Sequence, residues 1–360
     1  MAAITAGMVK ELREMTGAGM MDCKKALAET DGDMDAAVEA LRKSGAAKAV
    51  KKASRIAAEG IARVAVDGNS AVVIEVNSET DFVAKNEVFQ EFVQMLADNA
   101  LASGLNGGAN GEDIDTLLDS NGLRDVLVEK TATIGEKLSV RRFEKVTGEA
   151  VASYIHGGGR IGVLVASTGA TGAEVDEALK NVAMQIAAMN PQYVSRNDIS
   201  DAELAKIKEI TIDSALNDPS SLPKPVLNAL FAKVEAGNLF SAEDAAVLSE
   251  KKNDKYLFNF LSEAAKATLA ELAMADKANY VADKIFSGLV DGRISKQLKE
   301  MCLLDQVYVK AEDGKQTVGQ YLTTVSKDLT ISKVVRFEVG EGIEKKVDDF
   351  AAEVAAQAGM

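Results

Sequence analysis

A chain of 360 residues, 47% apolar and with a formal net charge of −14, has material for more than one compact unit. That acidic balance argues against general binding to nucleic acid, which needs clustered Lys and Arg. No apolar run reaches the ~20 residues that span a bilayer. Two cysteines, Cys23 and Cys302, indicate a reducing compartment, and the first residues lack the charged-then-apolar pattern of a signal peptide. A soluble, cytoplasmic protein is expected.

Residues 1–45 read as three short helices. Met8, Val9 and Leu12 share one face of the first, and Thr16-Gly-Ala-Gly19 breaks it. Cys23, Ala26 and Leu27 mark the second; Asp31-Gly-Asp33 is a turn and N-cap for the third. A basic run follows (Arg42, Lys43, Lys48, Lys51, Lys52, Arg55) with no acidic residue among it. It is either a solvated face or a docking patch for an acidic partner. The span 1–55 is taken as one module with its linker.

Residues 56–200 read as a duplicated unit. Strands near 60–66 and 70–76 flank the turn Asp67-Gly-Asn69, with a helix over 87–102. The copy has strands near 149–155 and 160–165 around His156-Gly-Gly-Gly159, and a helix over 175–189 ending before Pro191. Between the copies, 104–111 reads as a flexible glycine-rich loop and 112–131 as one helix leading to Ile134-Gly135-Glu136. Subdomain boundaries fall at 56–148, and at 149–200 with 300–341, where a strand near 333–339 completes the second half-sheet. The expected class is α+β, with antiparallel sheets covered on one face by helices.

Helical arms at 201–216 and 276–299 carry apolar stripes, Leu204, Ile207, Ile210 and Ile212 on one, Val281, Ile285, Leu289 and Ile294 on the other. Together, 201–299 read as a protruding coiled-coil hairpin with an inserted helical subdomain at 217–275. Pro219, Pro223 and Pro225 break the helix at its start. Phe231, Phe240, Tyr256, Phe258 and Phe260 suggest that the insertion has a small core of its own, or an apolar face used for dimerisation. A C-terminal helical module takes 342–360.

The stretch Glu75-Val-Asn-Ser-Glu-Thr-Asp-Phe-Val-Ala-Lys-Asn86 joins a buried strand to an amphipathic helix. In one reading it is a turn capped by Thr80 or Asp81 with Phe82 tucked into the core. In the other, Asp81 and Phe82 form a tip that probes another protein, the aromatic serving as anchor.

This stretch and Leu12-Arg-Glu-Met-Thr-Gly-Ala-Gly-Met-Met-Asp-Cys-Lys-Lys-Ala-Leu27 closely resemble the two signature segments of bacterial elongation factor Ts. The tail, from Arg336-Phe-Glu-Val-Gly-Glu-Gly-Ile-Glu-Lys-Lys346 onward, is similar to that family's C-terminal module. The resemblance covers 1–200 and roughly 285–360 and fails between them. It implies an exchange factor for the GTPase elongation factor Tu, with an N-terminal ubiquitin-associated-like module and a coiled-coil hairpin. It places Thr80, Asp81, Phe82, Val83, Lys24, Lys52, Ile134, Gly135 and His156 at the partner. Gln306-Val-Tyr308 departs from the family's usual Gln-Pro-Phe and Lys310 replaces an apolar residue, which counts against a partner contact at Val309 and Lys310. A homodimer through the coiled coil or the core is a further expectation.

Motifs for chemistry are missing. Gly340-Glu-Gly-Ile-Glu-Lys345 lacks the spacing of a phosphate loop, and Cys-x-x-Cys, His-Glu-x-x-His and Gly-x-Ser-x-Gly do not occur. His156, the single histidine, cannot build a metal site with so few soft ligands. No cofactor is expected. Besides the exchange factor, two rivals stand: an adaptor without effect on nucleotide, and a nucleotide-binding enzyme disfavoured by the missing phosphate loop.

Overall fold

The computed structural model describes residues 4–16 and 18–344. Contacts divide the chain into two units, Met1–Asn190 with Gln320–Met360, and Pro191–Gly319. These boundaries differ from the breaks at 200/201 and 299/300 drawn on the sequence.

In the first unit, α1 (Ala6–Thr16), α2 (Met20–Glu29) and α3 (Met34–Lys52) enclose Val9, Leu12, Cys23 and Leu27. Asp33 starts α3 by accepting the Ala36 N–H at 2.9 Å. The helix then runs on through the basic stretch, whose first two residues have carboxylate partners. Arg42 pairs with Asp125 at 3.1 Å and Lys43 with Glu39 at 3.6 Å.

Near-continuous apolar, β-branched runs produce the hairpin of β1 (Glu59–Asp67) and β2 (Ser70–Ser78), with β2 buried almost along its whole length. A one-turn helix, α4 (Asp81–Ala84), follows, and then α5 (Glu87–Ala102). The cap of α5 is Asn86, which accepts the Phe89 N–H at 3.3 Å, and not Thr80 or Asp81. Residues 104–111 are not simply a loop, because β3 (Gly107–Gly108) joins the sheet. Gly107 has φ +64°, and a Cβ there would lie 2.1 Å from the Phe143 carbonyl oxygen, so only glycine lets the strands meet. The single helix expected over 112–131 is two, α6 (Ile114–Leu118) and α7 (Leu123–Ile134). Left-handed Asn121 and Gly122 separate them.

The sequence reading missed β4 (Ser139–Thr147), which pairs with β2. The copy consists of β5 (Ala150–His156), β6 (Ile161–Thr168) and α8 (Ala173–Met189). Strand orders are β1-β2-β4-β3 in one sheet, and β5-β6 followed by a late strand in the other. One face of the first sheet packs on α5 through Phe89, Phe92, Val93 and Leu96. Its other face meets the second sheet through Ala62, Val73, Leu164 and Ala166. Helices thus cover one face of each sheet, as expected of an α+β protein, and the remaining faces cover each other.

The second unit contains α9 (Asp201–Asn217), α10 (Lys224–Gly237), α11 (Ala242–Lys251), α12 (Glu263–Ala275), α13 (Lys277–Ala282) and α14 (Lys284–Met301). The expected apolar stripes coincide only in part with the buried faces: Ile212 is buried, and Leu289 and Ile294 pack against the core. Leu204, Ile210, Val281 and Ile285 are exposed, whereas Ile212, Leu216, Phe286 and Val290 are buried. Nor does the insertion keep a separate core. Leu230, Phe231, Leu257 and Leu269 share one cluster with residues of both arms, because the arms alone offer too little apolar surface. Phe231 is wholly buried and Phe240 and Phe258 are packed against that cluster, so these aromatics act as core and give the dimer expectation no support. Tyr256 and Phe260 stay exposed.

After α15 (Val318–Val325), β7 (Thr330–Glu338) completes the second sheet beside β6. Residues 303–309 do not contribute to that sheet. They form a 3₁₀ turn and an isolated bridge, Val307 to Thr317, within the second unit. From residue 345 on, the expected C-terminal module lies outside the described residues.

Two buried polar centres hold the units. In the first, Glu75 is fully buried and accepts from Arg142 Nε at 2.6 Å, Arg141 Nη1 at 2.9 Å and the Gly340 N–H at 2.8 Å. Arg142→Met should cost about 3–5 kcal/mol in urea unfolding, the penalty for leaving a buried charge short of its partner. In the second unit, buried Asp244 accepts from Ser262 N at 2.9 Å and Ser262 Oγ at 2.8 Å. The Ser262 backbone bond, foremost, holds its carboxyl below the ordinary value of 3.8. Its stabilisation is therefore full above pH 3.8 and is lost as pH falls through the lower folded value. Asp244→Asn should cost about 1–3 kcal/mol at pH 7, and the difference between variant and wild type should vanish in thermal melts at the acid end.

Candidate functional site

The stretch from β2 into α5 is neither a plain turn nor a mobile loop. Where β2 ends, Thr80 is fixed at three of its atoms. Its N–H and its hydroxyl donate to Glu136, at 3.0 and 2.7 Å, and its carbonyl accepts from Ser78 Oγ at 3.0 Å. The Glu79 N–H also donates to Glu136 Oε2, at 3.0 Å. Three residues on, Val83 is buried in the core of the first sheet with Phe89 and Leu96. Between these two fixed points, α4 pushes Asp81 and Phe82 into solvent.

Phe82 is 79% exposed, the most exposed large apolar side chain among the described residues. The reading in which it tucks into the core is thereby excluded. Asp81 accepts from Lys85 Nζ at 2.7 Å, one helical turn on, and this bond holds its carboxyl below the ordinary range. It stays ionised at neutral pH beside an uncovered aromatic ring. Burying that ring against a partner would release roughly 1.5–3 kcal/mol, and nothing in the free chain claims this energy.

The second part of the site comes from the end of α7. Gly135, at φ +87°, caps the helix by donating its N–H to the Thr131 carbonyl and turns the chain so that Glu136 faces Thr80. Ile134 packs partly into the core, and Gly135 is exposed. Lys52, from the last turn of α3, donates to the Thr131 carbonyl at 3.4 Å, which brings the basic stretch to the same helix end. Arg55 reaches Glu79 Oε1 at 3.1 Å.

The structure therefore gathers Lys52, Thr80, Asp81, Phe82, Val83, Ile134 and Gly135 at one end of the first sheet, past the end of β2 and before the start of β4, Thr80 and Val83 as supports. The hydrogen bonds and ion pairs of that tip include neither Lys24 nor His156. Lys24 stands exposed on α2, beside exposed Met20 and Met21. His156 ends β5 at an exposed hairpin tip, its Nδ1 3.1 Å from Tyr154 Oη. The following Gly159 carbonyl accepts from Ala62 N at 2.6 Å, tying that hairpin to β1. Val309 is exposed in the second unit. Sequence reasoning named Glu136 only as part of an Ile-Gly-Glu element. Its sole signal was a carboxylate just past a helix-ending glycine, too common a pattern to single out.

No group of His, Cys, Asp or Glu suited to hold a metal exists among the described residues, and no described helix is long and apolar enough to cross a membrane. A tip held on both flanks, with an uncovered aromatic and a carboxylate, is suited to docking on another protein. Comparison with known proteins names the kind. The sequence model of the family Elongation factor TS matches residues 79–341. Elongation factor Ts of Clostridioides difficile (strain 630) is 44% identical over 368 residues, 99% of each chain. The chain belongs to the elongation factor Ts family and is a factor of protein biosynthesis.

The comparison also corrects the extent of the resemblance. The family match spans 79–341 and so takes in 201–284, where the sequence reading found no resemblance. Paired substitutions test the tip. Phe82→Ala should leave the thermal midpoint almost unchanged, within about 0.5 kcal/mol. Val83→Ala, next in sequence, should cost about 2 kcal/mol by the same measurement.

Proposed function

We propose that this chain is a guanine nucleotide exchange factor that binds elongation factor Tu in the cytoplasm and speeds GDP release, so that GTP can rebind during elongation. The observation that carries this reading is the 79% exposure of Phe82 on a tip whose flanks are fixed. The mechanism is thermodynamic coupling. A partner that prefers the nucleotide-free GTPase weakens nucleotide binding by the same factor by which nucleotide weakens its own binding. Each tenfold of that factor corresponds to about 1.4 kcal/mol.

In this reading Asp81 and Phe82 enter beside the GTPase's Mg²⁺ and phosphate region. Phe82 wedges between side chains there and displaces a helix, the Mg²⁺ ligand set is lost, and the phosphates lose the charge that holds them. Lys24, Lys52, Ile134, Gly135 and His156 are further contacts. The three-helix module, of ubiquitin-associated type, and the segment 342–360 supply affinity that offsets the lost nucleotide contacts. The chain carries out no bond chemistry of its own; its product is a conformational state of the partner.

The test is release of a fluorescent GDP from elongation factor Tu with this protein at catalytic amounts. Acceleration is expected, and Phe82→Ala should reduce it about 30-fold, the roughly 2 kcal/mol of an aromatic anchor. Unchanged GDP release with the folded wild type would sink exchange and leave an adaptor.

A further inference from the structure

We propose that Glu136 is a positioning residue for nucleotide exchange: its carboxylate sets where Phe82 stands, and thereby how fast the partner lets go of GDP. The proposal rests on the exchange reading given above. It concerns a side chain that need not touch the partner.

The geometry is a closed ring of three chain segments. Glu136 Oε2 accepts the N–H groups of Glu79 and Thr80, both at 3.0 Å, and its Oε1 accepts the Thr80 hydroxyl at 2.7 Å. In the opposite direction, Glu79 Oε1 accepts the Lys137 N–H at 2.6 Å and Arg55 Nη1 at 3.1 Å. Lys137 Nζ donates to the Arg55 carbonyl at 2.8 Å and closes the ring. Two carboxylates from separate segments thus grip each other's backbone, immediately before the turn that carries Phe82.

Charge makes this grip specific. Glu136 faces three donors, and its two acceptor oxygens satisfy all of them. An amide of the same shape has one acceptor oxygen and turns an NH₂ group toward donors, so Glu136→Gln keeps the volume and breaks at least one bond. The reason to fix the tip is entropic. A tip that wanders must be ordered when it meets the partner, and each backbone residue to be ordered costs roughly tenfold in the equilibrium. A tip already fixed has met that cost at folding.

Gly135 and Arg55 extend the consequence. Because Glu136 directly follows Gly135, and Arg55 follows the basic end of α3, displacement of either segment moves the tip through the ring. The end of α7, the linker after the N-terminal module and the probe are one mechanical element.

The experiment compares wild type, Glu136→Gln, Phe82→Ala and the double variant in fluorescent GDP release from elongation factor Tu. Amide hydrogen exchange over residues 79–84 of the free protein is measured alongside. Glu136→Gln is expected to speed amide exchange at 79–84 and to slow GDP release about tenfold at saturating factor. In the Phe82→Ala background it should slow release hardly further, since it acts through that ring. A purely structural role would instead give losses that add in full. Thr80→Val, which removes only the hydroxyl donor, should slow release a few-fold in the same direction, and it decides the matter if Glu136→Gln does not fold. Wild-type release rates for both variants, or full additivity with Phe82→Ala, overturn the proposal while leaving exchange intact. A wild-type protein that fails to accelerate release sinks the exchange reading and this one with it, whatever the amide exchange shows of the ring.

Discussion

A carboxylate with no exposure sits in the middle of β2, and much of the first unit follows from keeping it satisfied. Glu75 takes hydrogen bonds from Arg141, Arg142, Asn77 and the Gly340 backbone. Two adjacent arginines reach one carboxylate because β4 is bulged there: Glu75 stands opposite Arg142 and Val76 opposite Val140, which leaves Arg141 as the extra residue. Arg142 continues to the Glu338 carbonyl and the Glu341 carboxylate, and its guanidinium lies 4.3 Å from the centre of the Phe337 ring. One buried charge therefore joins the central strand of the first sheet to the outgoing end of the second. It also fixes Gly340 and Glu341 just past β7.

The two carboxylate centres of this unit divide the labour. Around Glu75 the carboxylate and Arg142 are buried, so loss of that pairing is expensive and the sheets are locked. Around Glu79 and Glu136 the groups are only partly covered, and the bonds run mainly to backbone N–H groups. That second centre fixes a short segment without burying what the segment carries. An exposed aromatic on a mobile loop would collapse onto the nearest apolar surface. Phe82 cannot, because Thr80 and Val83 are held on either side of it.

Much of this was legible in the chain. β-Branched runs around glycine turns gave the hairpins 59–78 and 150–168 to within three residues at each strand end, and the spacing of apolar residues gave α5 and α8. Fidelity broke where a second interaction overrode the pattern. The run Ser139-Val-Arg-Arg-Phe143 does not alternate, because the bulge inserts a residue for the sake of Glu75, so β4 went unread. The stripes expected on α9 and α14 match the buried faces only in part. Their apolar residues outnumber what one face can bury, and only the packing against α10 and α12 selects Ile212, Leu216, Phe286 and Val290.

Sequence alone determined the class of the fold, its two hairpin-and-helix halves, the stretch that carries the candidate site and the family to which the chain belongs. These are properties of local spacing and of long motifs, which survive without knowledge of any distant contact. Tertiary structure alone decided that Phe82 faces water, that Val83 beside it does not, and that Glu136 stands 2.7 Å from the Thr80 hydroxyl, 56 positions away in the chain. Which way a side chain points in a four-residue helix depends on what lies beneath it, and nothing within those four residues encodes that.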